Sequence, residues 1–107
     1  MDRDSLQQIV ANYPKELLDL FFQDTPQLLH ALSVAASSGD RLELRSAAHA
    51  LKGAVSNFGA RHPQALAAEL EEIAPRCDMS QAQQLVDALT HEVTQLRSEL
   101  AEIAQLA

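Results

Sequence analysis

Cysteine occurs once, as Cys77, so no internal disulfide can form and a reducing cytoplasm is the expected setting. Glycine occurs three times, at Gly39, Gly53 and Gly59, too sparsely for a glycine-rich loop that would cradle a nucleotide phosphate. The four aromatics, four prolines and few β-branched runs leave nothing to specify a sheet. Cations are scarce: 8 Lys and Arg stand against 15 Asp and Glu, a net charge of -7. That balance argues against a nucleic-acid binder or direct binding to an anionic membrane, both of which need a basic surface. No charged leader with an apolar core opens the chain, and no apolar run approaches the roughly 18 residues of a membrane span. A soluble domain is expected, although a module excised from a longer membrane-bound parent would read the same way.

What is abundant is Ala and Leu, about a third of the residues, inside a hydrophobic content of 47%. A chain of 107 residues with that content supports one domain over 1–107 and leaves little room for a second core. Ser5 with Gln8 forms a capping box for a short first helix over 5–12, closed by Tyr13-Pro14. Pro14 then suits the first turn of a long helix over 14–38, with Leu17, Leu18, Phe21, Leu28, Leu32 and Ala35 at helical spacing, a bend at Pro26 and a stop at Gly39. Asp40 with Glu43 caps a third helix that Gly59 ends after Phe58. Pro63 opens a fourth, with the stripe Leu66, Leu70 and Ile73, which Pro75 closes.

After a loop over 75–79, Ser80 with Gln83 caps a fifth helix. Its Ala82, Leu85, Leu89, Val93, Leu96, Leu100 and Ile103 recur at three and four. The pattern predicts an all-α fold, an antiparallel four-helix bundle with a short additional N-terminal helix packing across one end.

Chemistry concentrates in the third helix, at His49-Ala50-Leu51-Lys52-Gly53. At about 100° per residue, Leu44, Ala48, Leu51, Val55 and Phe58 share one face, while Leu42, Arg45, His49, Lys52, Gly53 and Ser56 share the other. The histidine is therefore expected to point at water. A neutral imidazole has a nitrogen lone pair that can accept a phosphoryl group without a metal, and Lys52, one turn on, can stabilise the charge that arrives. Gly53 costs a helix interior about 1 kcal/mol relative to alanine, which is explained either by clearance for a partner or by close packing of a neighbouring helix. Leu42 offers a partner an apolar foothold, and Arg45 and Ser56 flank the same surface.

Arg41, Arg45, Lys52 and Arg61 against Glu43 give 41–61 a local balance of +3, while 4 cations and 14 acids elsewhere leave -10. His30, His62 and His91 lack such company and receive no role. Cys77 and the two methionines read as packing or solvent features.

Ala48-His49-Ala50-Leu51-Lys52-Gly53, then Phe58-Gly59-Ala60, Leu66 and Glu69-Leu70-Glu71, resemble the histidine-containing phosphotransfer (HPt) domain. Phe21, Pro26, Leu28, Leu29, Leu32 and Gly39-Asp40 upstream are also similar to that family, so the likeness covers 14–75 by motif and the remainder by helix pattern. The resemblance implies a four-helix bundle whose exposed His49 takes a phosphoryl group from an aspartate of one receiver domain and passes it to another. On this reading the chain has no kinase activity or cofactor of its own, and Mg²⁺ belongs to the receiver. The partners are response-regulator receiver domains and a hybrid sensor histidine kinase, with the chain a cytoplasmic monomer, free-standing or the C-terminal module of that kinase.

Two other classes compete. A histidine kinase dimerisation domain also carries a histidine on a helical bundle, but there an acidic residue follows the histidine and a proline comes soon after, whereas here Ala50 follows and the next proline is Pro63. A non-catalytic helical interaction module would make Asp87, Glu92, Arg97, Glu99 and Glu102 an ordinary solvated face, and would follow if His49 were buried.

Overall fold

Asp2 accepts hydrogen bonds from the Asp4 amide and the Ser5 hydroxyl, starting α1 at Arg3–Ala11. The helix thus begins two residues before the expected 5–12, and Ser5 lies inside it. The carboxylate at position 2 reaches the first-turn donors, which leaves Ser5 no cap to make. The computed structural model describes residues 2–106, and all regular structure among them is helical. α2 covers Lys15–Ser38, with Pro14 just outside as its cap, and ends on Gly39 at φ 74°. α3 covers Arg41–Ser56, capped by Asp40, whose Oδ1 accepts from the Glu43 amide at 3.1 Å. It ends two residues before Phe58, and Gly59 takes the left-handed turn at φ 66°.

α4 covers Arg61–Ile73, with Pro63 in its first turn. α5 covers Met79–Leu106, and here the expectation is corrected: Asp78, not Ser80, supplies the cap, its Oδ1 accepting from the Gln81 amide at 2.8 Å. Ser80 is a residue of the first turn, and the loop runs over 74–78, one residue earlier than the expected 75–79.

α2 packs on α3 and α5, and α4 packs on the same two, so α2 to α5 close a ring around one core. α5 runs the 43 Å length of the molecule, as 28 residues at about 1.5 Å each require. Leu32, Leu44, Leu51, Leu70, Leu89, Val93 and Leu100 are fully buried in that core. Each contributes about 1.5–3 kcal/mol of transfer free energy. Val86 is buried where Leu85 was expected, the stripe turning slightly so that Leu85 packs at the margin.

Phe58 sits between Tyr13 and Phe21, with ring centroids 5.0 and 4.8 Å away, and so ties the α3–α4 turn to the start of α2. α1 lies on α5, burying Leu6 and pairing Arg3 with Glu102 at 3.0 Å.

Pro26 lies within α2 without ending it. It has no N–H to give the Phe22 carbonyl four residues earlier. Arg97 of α5 fills that place: its Nη2 donates to the Phe22 oxygen at 3.3 Å, and its guanidinium carbon stands 5.9 Å from the Phe22 ring centroid. Arg41 serves a similar end, donating to the carbonyls of Ala74 and Cys77 beyond the last turn of α4.

Candidate functional site

His49 stands mid-way along α3, opposite the fully buried Ala48, Leu51 and Val55. Its side chain is 69% exposed, so the ring projects into solvent as the helical wheel predicts. Its Nδ1 lies 2.9 Å from Oε2 of Glu71 on α4, and the other carboxylate oxygen accepts from Lys52 Nζ at 2.7 Å. One carboxylate therefore holds both motif side chains. The hydrogen bond from Lys52, with that from His49 acting in the same direction, keeps the Glu71 carboxyl below the ordinary range against a smaller opposing effect of burial. An ionised carboxylate can only accept, which makes Nδ1 the protonated nitrogen and leaves the Nε2 lone pair free. Nε2 has no hydrogen-bond partner among the described residues.

Gly53 is exposed one turn beyond His49, and a Cβ built there meets nothing within 4 Å. Close packing of a neighbouring helix is thereby excluded as the reason for a glycine. Leu42 is 81% exposed and shares a shallow depression with Arg45, Ser46, His49 and Glu71. Arg45 also borders Lys52 across the α3–α4 edge. Ser56 lies on the same face, its hydroxyl donating back to the Gly53 carbonyl at 2.8 Å.

The expected cluster of positive charge is smaller than the sequence suggested. Arg41 is spent on the end of α4, Arg61 lines a separate groove at the other end of that helix, and Glu71 places a negative charge beside Lys52. Arg45 and Lys52 are the cations that remain near the imidazole.

Glu71 is the residue that sequence reasoning missed as part of the site. It follows the core Leu70 in Glu69-Leu70-Glu71, and only the registration of α4 on α3 tells it from Glu69 and Glu72, both exposed. Among the described residues, no group of three or more His, Cys, Asp and Glu could hold a metal ion, and no helix is long and apolar enough to cross a membrane.

The family model of the Hpt domain matches residues 16–99, which takes in α2 to α4, the His49 surface and most of α5. The chain belongs to the Hpt domain family. No curated protein and no solved structure matches it significantly. Hpt domains act in histidine phosphotransfer within two-component phosphorelays, and their partners are response-regulator receiver domains and kinases. Within this Hpt domain α1 lies outside the matched span, and the histidine-bearing face of α3 lies wholly inside it.

Proposed function

We propose that this Hpt domain is a phosphoryl shuttle, a cytoplasmic monomer built as an antiparallel four-helix bundle, in which His49 accepts a phosphoryl group from a receiver aspartate and delivers it to another receiver. The observation that carries this is the exposed imidazole with Nδ1 fixed on Glu71 and Nε2 free. The Nε2 lone pair attacks phosphorus, an N–P bond forms, and the P–O bond to the aspartyl carboxylate breaks as that carboxylate leaves with the electron pair. No proton has to be removed. Nδ1 keeps its hydrogen, and Glu71 offsets the positive charge that develops on the ring.

Lys52 turns from Glu71 to the incoming phosphoryl group, which brings close to two negative charges, and its flexible four-carbon stem permits the exchange. Gly53 leaves the receiver's loop room to bring its aspartate in line, while Leu42, Arg45 and Ser56 border the docking surface. The chain contributes no cofactor and no kinase activity; Mg²⁺ sits in the receiver, and a hybrid sensor histidine kinase is the upstream source of phosphate.

Incubation with a phosphorylated receiver domain is expected to give an acid-labile, base-stable phosphoprotein, and His49→Gln to abolish the label. Label that survives His49→Gln, or a native chain that no receiver labels, overturns the reading.

A further inference from the structure

On the α2 side of α3, opposite the edge that holds Lys52 and Glu71, an open groove runs between the two helices. Its floor is Ala50 and Ala54, each one residue beyond a member of the motif, His49 and Gly53. Its α2 wall carries Leu17 and Leu20, each 48% exposed. Two half-exposed leucines over a floor of alanines make an apolar surface continuous with the bare backbone at Gly53, where nothing of this chain stands. A partner that covers Gly53 on its way to His49 therefore lies beside this groove.

Asp24 is the one charged residue that lines the groove. It is exposed and makes no ion pair or side-chain hydrogen bond among the described residues. On the other side of His49 the surface carries charges of both signs, Arg45 and Lys52 with Glu72 and with Glu71, which pairs with Lys52 at 2.7 Å. The charges on the α4 side thus stand among others of the opposite sign, whereas the α2 side presents a lone carboxylate. Unlike a diffuse negative field, a single charge on an apolar ledge discriminates. Contact with it desolvates it, which is repaid by a cation in register and penalised by an apolar or acidic side chain.

Resting on the phosphotransfer reading above, we propose that Asp24 is a specificity-determining residue, selecting receiver domains that place a lysine or arginine beside the apolar residue entering the Leu17–Leu20 groove. Receivers with an acidic or apolar residue there are disfavoured even when their aspartyl phosphate reaches His49. The carboxylate acts on docking and takes no part in the chemical step.

The test uses the full chain and a panel of purified receiver domains from the same organism, each phosphorylated with acetyl phosphate, with transfer rates measured against receiver concentration. Asp24→Lys is expected to raise KM for the preferred receiver about tenfold with kcat little changed, and to reorder the panel. Leu20→Asp, at a position already half-exposed, is expected to weaken the same receiver. Asp19→Lys makes the same charge change at an exposed position of α2 outside the groove, and is expected to stay within twofold of native. Labelling of His49 by phosphoramidate, a donor too small to need docking, is expected to match native in all three.

Native transfer by Asp24→Lys overturns the proposal, as does an equal loss in Asp19→Lys, which would mean a general charge effect. So does a dimer in light scattering that Leu20→Asp dissociates, which would give the groove to a second copy of this chain. These results leave phosphotransfer standing if phosphoramidate still labels His49. If neither phosphoramidate nor any receiver labels the native chain, the phosphotransfer reading fails and this proposal with it.

Discussion

At the scale of single residues the site turns on Glu71, because one carboxylate orients the imidazole and restrains the ammonium at once. Glu71→Gln keeps an oxygen for the Nδ1 hydrogen and removes the charge, whereas Glu71→Ala removes both. Transfer from a receiver is therefore expected to fall in both, least in Glu71→Gln, which loses only the charge that offsets the ring, and between about ten- and a hundredfold in Glu71→Ala, which also loses the group that positions the imidazole. The loss stays well short of the roughly 10⁴-fold seen when a triad histidine takes the wrong tautomer, because no proton is abstracted here. The same carboxylate links stability to pH. Its pKa is lowered on folding, so its contribution is present above the unfolded-state value and lost as pH falls through the lower folded-state value. Thermal melts are expected to place Glu71→Gln below native at pH 7, with the gap narrowing as the pH falls below the ordinary carboxylate range. A gap that stays constant as the pH falls would show that the carboxylate's charge is not what binds α4 to α3.

At the scale of helices, the elements were legible because apolar spacing and punctuation by Gly39, Gly59, Pro63 and Pro75 are local signals. Cap identity was less so. Asp2 and Asp78 each compete with a serine two or three residues later, and only the path of the preceding chain decides between them. Invisible in the sequence was the cross-helix repair at Pro26, since Arg97 lies 71 positions further along, on a face that reads as ordinary solvated surface. The repair has a specific energetic signature. Arg97→Met removes the donor to Phe22 and is expected to destabilise the domain by about 1 kcal/mol. In a Pro26→Ala background the restored amide can serve that carbonyl, so the same substitution is expected to cost less by about 0.5 kcal/mol or more. Urea denaturation of the four proteins measures the coupling. Strict additivity would mean that Arg97 stabilises α2 only through its packing on the Phe22 ring.

For the whole molecule, composition alone fixed an all-α chain with one core, and the exposed face of α3 followed from wheel arithmetic. Which helices adjoin did not, and with it went Glu71 and the groove beside Asp24, because contacts between helices depend on how buried side chains interlock. The resulting layout separates what stabilises the fold from what carries the proposed chemistry. α1 packs on α5 near Glu102, and the groove it borders reaches the Arg61 end of α4, while Glu71 lies ten residues along that helix, about 15 Å away. α1 also precedes the span that the Hpt family model matches. Leu6, its one fully buried side chain, should therefore matter to stability and not to transfer. Leu6→Ala leaves a cavity in place of a large side chain and is expected to cost about 2–3 kcal/mol, lowering the melting temperature by roughly 10 °C. Phosphorylation of His49 at a temperature where the variant remains folded is expected to be unchanged in both KM and kcat. A transfer defect under those conditions would mean that α1 reaches the α3 surface through the core, most directly through Tyr13 and its contact with Phe58.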